Sequence, residues 1–429
     1  MEAWFQDEQT TLFQGDSLEI LRLLPSCSVQ CVVTSPPYWA LRDYGVEGQL
    51  GLEPTPEQYI ENMVEVFREV RRVLREDGTL WLNIGDSYAV SRGASHGIDP
   101  KNSGGRVKSV CRPNDRLLQG YKPKDLIGVP WMLAFALRAD GWYLRSEIIW
   151  AKKSPMPESV KDRPTKSHEQ IFLLTKSRRY FYDSIGSQEQ AVAGANGSSF
   201  TSGKTADQKH NLGMGQRNDS TTRNMRTVWS LASFPLKSAH FAAYPPELVR
   251  RCLSAGVSEK GCCSNCGRPW QRIVAKRRVP TRPGTDSKVP KNWATGEGSH
   301  STLEHSKPEN HPKTKHDIGC EQNRFRPTEF GNRDPQRHCT ETITTGWKPD
   351  CSCGACEPVP CTVLDPFHGA GTSWKACQRL GLRYIGIELN PEYLKLSAER
   401  PSVHFPHERA KKSSKRKKKR QQMEIKFHD

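Results

Sequence analysis

The chain has 429 residues, long for one hydrophobic core, so a sizeable domain with an accessory region or long insertions is expected. Only 35% of the residues are hydrophobic, and no apolar run reaches the roughly 18 residues of a membrane-spanning helix, which argues against an integral membrane protein. A net charge of +17 favours a polyanionic partner, most often nucleic acid, although surface lysines also serve solubility.

Met1 to Asp16 carries acidic residues and no basic stretch leading into an apolar one, so no secretory leader is expected and the fourteen cysteines are read as reduced. The expected location is cytoplasmic and nucleoid-associated, or nuclear in a eukaryote. A helix begins near Leu18, and Val29-Gln30-Cys31-Val32-Val33 follows as a short apolar strand. That strand runs into TSPPYW, residues 34–39. Two prolines can neither continue a helix nor donate to a sheet ladder, so the strand stops there. Ile60, Met63, Val64, Phe67, Val70, Val73 and Leu74 recur at helical spacing, and Gly78 is expected to break that helix before a buried strand over Thr79–Ile84. Residues 91–124, polar and rich in Gly and Ser, read as a loop. A helix over Leu126–Leu137, stopped near Asp140-Gly141, and strands at about Tyr143–Trp150 and Gln170–Thr175 continue the rhythm of a layered α/β domain.

From Gly186 to about Asn224 the chain is polar, and Thr227-Val228-Trp229 resumes order. A helix over Pro246–Leu253 precedes the first cysteine cluster. Between Lys276 and Lys348 there is no convincing periodicity, and the segment reads as a long insertion. Order returns with a strand from Cys361 to Asp365, a glycine-rich turn, a helix over Ser373–Leu380 and a strand over Tyr384–Ile387. The parts are therefore 1–186, a polar segment 187–240, a helix returning to the core at 241–258, a cysteine-flanked insertion 259–356, a ligand-binding part 357–401 and a basic tail 402–429.

VLDPFHGAGTSWKACQRLGLRYIGIELN is the most informative stretch. A strand ends in Asp365-Pro366-Phe367, Gly369 and Gly371 make the turn, Thr372 opens a helix, and the next strand ends in Glu388, 23 residues after Asp365. In such a βαβ unit glycines let a ligand approach the backbone and the second acid grips ribose hydroxyls. There is no Gly-Lys-Thr, and Asp365 would repel a pyrophosphate, so a ligand with an amino group fits better. S-adenosylmethionine carries both that ammonium and the ribose. Asn390 can contact such a cofactor or cap the helix starting at Pro391.

DPFHGAGT together with TSPPYW resembles the exocyclic-amino DNA methyltransferases, which modify cytosine N4 or adenine N6. The Ser-Pro-Pro-Tyr motif precedes the cofactor motif, an order that resembles the permuted β class. GDSLEIL, LNIGDSY and ADGWYLRSEIIWAKKSPMPESVKDRPTKSHEQIFLLTKS support the likeness, which covers most of the chain outside 91–124, 190–220, 276–348 and the tail. The resemblance implies a Rossmann-like S-adenosylmethionine-dependent methyltransferase fold, double-stranded DNA as partner, and a restriction-modification setting with a candidate companion endonuclease. It also sets Asp16 at the cofactor's adenine end, while the residue type alone equally suits a helix cap. Within the family Ser-Pro-Pro-Tyr goes mostly with cytosine N4 and Asp-Pro-Pro-Tyr mostly with adenine N6, so cytosine is favoured. Adenine N6, an RNA substrate and a non-catalytic zinc-containing DNA-binding protein are the alternatives.

An exocyclic amino group is a poor nucleophile because its lone pair is delocalised into the ring. Acceptors on both hydrogens draw the nitrogen towards tetrahedral geometry: Ser35 offers its hydroxyl oxygen, and Pro36 a carbonyl that the fixed backbone of Pro36-Pro37 aims. Tyr38 can stack on an extruded base, worth about 1–3 kcal/mol, and Trp39 can buttress it. The methyl then passes in line from sulfonium to nitrogen without a covalent enzyme adduct. Cys361, in the only Pro-Cys dipeptide, reads as a core residue.

Cys263-x-x-Cys266 and Cys351-x-Cys353 supply four thiolates for a closed tetrahedral zinc site of structural kind, with Cys262 and Cys356 as spares and reduced, metal-free thiols as the alternative. Candidates for reading bases are 91–124 with Arg92, Lys101, Arg106 and Lys108, 187–226 with Lys204, Arg217 and Arg223, and the insertion. Arg409 to Arg420 holds nine basic residues and no acidic one, suited to salt-dependent, sequence-blind affinity for DNA, and without it the chain still stands at +8.

Overall fold

The computed structural model describes residues 2–89, 120–190, 222–233, 244–280, 338–354, 357–403 and 405. In chain order the elements are β1 (Phe5–Gln6), β2 (Thr10–Gln14), α1 (Ser17–Leu23), β3 (Val29–Thr34), α2 (Pro56–Val73), β4 (Leu74–Ile84), α3 (Val129–Ala139), β5 (Tyr143–Lys152) and β6 (His168–Thr175). There follow β7 (Glu189–Gln190), β8 (Thr222–Arg223), β9 (Val228–Leu231), α4 (Pro246–Gly256), β10 (Cys262–Cys263), β11 (Gln271–Pro280), β12 (His338–Lys348) and β13 (Pro358–Val359). The last are β14 (Thr362–Asp365), α5 (Thr372–Leu380), β15 (Arg383–Glu388) and α6 (Pro391–Glu399). Met1–Glu189, Asn224–Ile273 and Thr344–Asp429 form one compact unit, and Gln190–Arg223 with Val274–Ile343 form a second. In the second, Arg277 pairs with Glu341 at 2.9 Å.

The first unit is built on a nine-stranded sheet in the order β1-β2-β15-β14-β3-β4-β6-β5-β9. β2, β15, β14, β3 and β4 run parallel, and β6 is antiparallel to both neighbours. Parallel neighbours need crossovers over the faces of the sheet, so the central strands are buried on both sides and read as unbroken apolar runs. Every residue of β3 is buried. Leu21, Met63, Phe67 and Leu133 of α1, α2 and α3 fill one core, and Leu253, Trp374 and Leu394 of α4, α5 and α6 fill another. β3 therefore leads outward through α2 to β4 over one face, while β14 leads the other way through α5 to β15 over the opposite face. The carboxyl ends of β3 and β14 part at this reversal, and a crevice opens there. This is the Rossmann-like layered sheet expected, with the permuted order intact: β14 is central in space yet near the end of the sequence.

Three expectations need correction. Gly78 does not end α2; Thr55 and Pro56 start that helix, it stops at Val73, and β4 begins at Leu74. Gly78 lies inside β4, where a Cβ would sit 2.6 Å from Leu74 Cδ1, so close packing rather than a turn requires glycine. α3 starts at Val129 instead of Leu126, because Gly128 takes a left-handed φ of 84° and Asp86 Oδ1 accepts from the N–H groups of Gly128 and Val129. The ends of the segment that shows no periodicity and reads as a long insertion form a two-stranded ribbon, β11 with β12. Its exposed Ile273 and Val274 give no one-sided alternation to read.

Candidate active site

β3 and β14 are adjacent and parallel, with Leu364 opposite Val32, so the turns that follow them come out side by side. Thr34 Oγ1 donates to Asp365 Oδ1 at 2.7 Å and ties the two strand ends together. Asp365 also accepts from the Tyr244 hydroxyl at 3.1 Å and from the Phe367 N–H at 3.1 Å, and it is fully buried. Burial pushes its carboxyl up to about 6, against the pull of those hydrogen bonds. Ser17 Oγ donates to the Pro366 carbonyl at 2.6 Å, which fixes the next residue of the turn.

Gly369 and Gly371 take φ values of 53° and 72°, which admit L side chains only with strain. A Cβ on Gly371 would also sit 2.7 Å from the Ser397 Cβ. Glu388 ends β15 and holds the turn from the far side, its Oε2 accepting from the Gly369 N–H at 2.7 Å and its Oε1 from the Asn390 N–H at 2.9 Å. Burial pushes its carboxyl up to about 7, with the backbone N–H groups opposing. Each oxygen keeps a lone pair for a hydroxyl group of a ligand.

His368, inside the motif, was given no role by the sequence. It is buried, with Nδ1 2.9 Å from the Tyr384 hydroxyl and Nε2 2.9 Å from Ser397 Oγ. Ser397 Oγ donates to the Leu394 carbonyl, so Nε2 carries the proton and Nδ1 accepts from Tyr384. Burial, with Lys375 and Arg400 nearby, pushes this imidazole down to about 3, and it stays neutral.

A solvent-open cleft, with about 670 Å³ of empty space including the water-filled mouth, joins the two turns. Asp16, Pro366, Phe367, Gly369, Glu388 and Asn390 line it together with Ser35 and Pro37, and the rings of Tyr44 and Tyr393 pack edge to face at 6.0 Å in its wall. Asp365, Gly371, Thr372, Pro36 and Tyr38 do not line it; Thr372 Oγ1 instead accepts from Arg400 Nη1 at 2.8 Å. Asp16 has its expected helix-capping role and a place at the cavity. It caps α1 by accepting from the N–H groups of Leu18 and Glu19, and it borders the cavity. Asn390 likewise caps α6 and borders the cavity.

Ser35 belongs to a polar network that sequence reading missed. Its Oγ lies 3.2 Å from the Tyr38 hydroxyl, which lies 2.7 Å from Glu169 Oε2. Asn83 Nδ2 reaches Ser35, Tyr38 and Glu169 at 3.3, 2.6 and 2.9 Å, and Lys152 Nζ pairs with Glu169 Oε1 at 2.6 Å. Burial raises the Glu169 carboxyl, but Lys152, Asn83 and Tyr38 together outweigh it and hold the group below its ordinary range. The clue was a Lys and a Glu bordering apolar runs, at the paired ends of β5 and β6.

Cys263, Cys266, Cys351 and Cys353 place their sulfurs within 4.8 Å of one another. Zn–S bonds of about 2.3 Å imply sulfurs about 3.8 Å apart in a tetrahedron, so the set fits with small adjustment. Gly267 at φ 69° donates to the Cys263 carbonyl at 2.8 Å and closes the first turn, and Arg268 donates to the Asp350 carbonyl at 2.9 Å beside the second. Cys262 turns to the core and the Pro360 carbonyl, while Cys356 lies outside the described residues. Arg92, Lys101, Arg106, Lys108, Lys204, Arg217 and the tail from Arg409 to Arg420 also lie outside them, whereas Arg223 is in β8. Among the described residues no helix is long and apolar enough to cross a membrane.

A family model described as DNA methylase, of the N6/N4 type, matches residues 29–263 and 357–399. The Type II methyltransferase M.SmaI of Serratia marcescens is 48% identical over 386 residues, covering 90% of this chain and 88% of its own length. M.XycI of Xanthomonas campestris pv. cyanopsidis, also a Type II methyltransferase, is 38% identical over 391 residues, 91% of this chain and 87% of its own. Among solved structures, the PvuII DNA methyltransferase (cytosine-N4-specific) overlaps with a TM-score of 0.47 at 12% identity, covering 95% of this chain and 92% of that one.

Proposed function

Because the chain belongs to the N6/N4 DNA methylase family, as a Type II DNA methyltransferase, we propose that it moves a methyl group from S-adenosylmethionine to the N4 amino group of a cytosine in duplex DNA. The observation that carries this reading is one shared cavity that Ser35 lines together with Glu388, Gly369 and Asp16. When bound, the cofactor supplies an electrophilic methyl on a sulfonium. The chain's own residues then bind, orient and polarise. Glu388 accepts from the ribose hydroxyls, Asp16 and Asn390 border the adenine end, and the Pro366–Gly369 turn lets the ligand approach the backbone. Asp365 acts from behind, by fixing that turn and tying it to β3. Ser35 Oγ and the Pro36 carbonyl take the two hydrogens of the target amino group, and Tyr38 offers its ring to the extruded base. Ser-Pro-Pro-Tyr favours cytosine over adenine through its likeness to the family. A companion endonuclease that cuts the same unmodified sequence fits the Type II relatives. Digesting DNA from cells expressing the protein and weighing the nucleosides tests the reading. N4-methylcytosine is the expected product; N6-methyladenine would reassign the base, and unmodified DNA would end the reading.

We further propose that the four clustered thiolates hold a structural zinc ion. The site lies at the start of β13, and β10 pairs with β13, so the metal would anchor the chain just before the cofactor strand β14. One zinc per chain by metal analysis, and a lower melting temperature after chelation, are expected. Native protein without zinc whose melting ignores chelators would refute it.

A further inference from the structure

A serine is a weaker acceptor than a carboxylate, and methylation leaves a proton that must go somewhere. Hydrogen-bond direction around Ser35 addresses both points. Asn83 Nδ2 and Lys152 Nζ can only donate, and an ionised Glu169 can only accept. The Tyr38 proton therefore points to Glu169 Oε2, and the Tyr38 oxygen accepts from Asn83 and from Ser35. The Ser35 proton is thus committed inward, Asn83 Nδ2 donates to one lone pair of its Oγ at 3.3 Å, and the second lone pair is left for the cavity that Ser35 borders. Gly85 makes room for this arrangement, since a Cβ there would sit 2.6 Å from Tyr38 Cε2.

We infer that Glu169 is the terminal proton acceptor of the methyl transfer, reached through the hydroxyls of Tyr38 and Ser35. The inference rests on the methyltransferase reading above. The amino nitrogen forms a bond to the methyl carbon as the carbon–sulfur bond breaks, and the bonding pair leaves with sulfur as a neutral thioether. The nitrogen, now carrying the methyl group and a positive charge, passes one proton to Ser35 Oγ. Ser35 passes its own to Tyr38, and Tyr38 passes its own to Glu169. Glu169 later releases the proton to solvent water, and the enzyme returns to its starting state. A protonated exocyclic nitrogen is a strong acid, so a carboxylate of lowered basicity suffices. Glu169 and Lys152 act through Ser35 and are positioning residues; Lys152 keeps the carboxylate ionised and aimed.

The test uses the full chain with tritiated S-adenosylmethionine and unmethylated bacterial genomic DNA, comparing wild type, Glu169→Gln, Tyr38→Phe and the double variant. Each single change is expected to lower kcat by about 100-fold or more, the usual scale of general acid–base catalysis, with cofactor affinity by calorimetry within twofold of wild type. The double variant should be no slower than the worse single one, because one relay is broken once. Glu169→Gln at near wild-type kcat, or additive losses in the double variant, would overturn the inference. Should Glu169→Gln fail to fold, Tyr38→Phe decides alone, since it keeps the ring and the Lys152–Glu169 pair. Absence of transfer by the wild type would instead overturn the methyltransferase reading, and the relay with it.

Discussion

At pH 8, replacing Glu388 by Gln should weaken cofactor binding without lowering stability. The wild-type carboxyl, pushed up to about 7 mainly by burial, starts from an ordinary value of 4.5. A folded value above the unfolded one means that its contribution to stability is present below pH 4.5 and is lost as pH rises through 7. At pH 8 the ionised group costs about 3 kcal/mol relative to the unfolded chain, since each pH unit separating those two values is worth about 1.4 kcal/mol. Glutamine removes that cost, but its single oxygen can serve only one of the Gly369 and Asn390 N–H groups. An unserved buried donor takes back about 1–3 kcal/mol. The ligand-free variant should therefore melt at or above the wild-type temperature at pH 8 and below it at pH 5. Losing a charged acceptor for ribose should weaken S-adenosylmethionine by about 2–3 kcal/mol, some 30- to 150-fold. Calorimetry at pH 8 reads the affinity, and melts at both pH values read the stability. Wild-type affinity should also fall below pH 7 and do so less in the variant. Equal affinity for the two proteins at pH 8 would refute the assignment of Glu388 to the ribose.

Asp365→Ala leaves the Thr34 and Tyr244 hydroxyls and the Phe367 N–H without their acceptor; a loss of about 3–5 kcal/mol in chemical denaturation and a collapse of cofactor affinity are expected, and calorimetry showing unchanged affinity would contradict it. His368, held at about 3 against an ordinary 6.5, makes the fold lose stability as pH falls from 6.5 towards 3. His368→Gln should melt lower at pH 7.5 yet lose less on going to pH 4.5, and an unchanged acid slope would contradict it. Gly371→Ala, at φ 72° with its Cβ 2.7 Å from Ser397 Cβ, should lower stability by about 2 kcal/mol or more and loosen the cofactor turn; a native-like melt and affinity would count against it.

The strands and helices that carry the site were legible because each is a long or strongly biased run. Val29–Val33 and Cys361–Asp365 are short, mostly apolar runs followed within three residues by proline, and both became strands of the central sheet. Their adjacency was legible only through the two motifs, since nothing local in residues 29–39 refers to residues 361–372. The hidden part came from contacts far apart in sequence. Glu169 and Asn83 meet Tyr38 across gaps of 131 and 45 residues; Glu169 is one polar residue bordering an apolar run, and Asn83 is one inside such a run. The contacts of Asp365 were hidden for the same reason: a strand-end acid invites a ligand on paper, and only the formed sheet shows that Thr34 and Tyr244 also donate to its oxygens. Gly78 looked like a helix stop because a glycine required by packing and a glycine required by a turn are the same letter.

A crystal structure with bound S-adenosylmethionine examines the shared cavity most directly. The ribose hydroxyls should rest on Glu388, with the sulfonium methyl facing an open path to Ser35 Oγ. A cofactor whose ribose lies away from Glu388, or whose methyl is walled off from Ser35, would contradict direct transfer to an amino group held there.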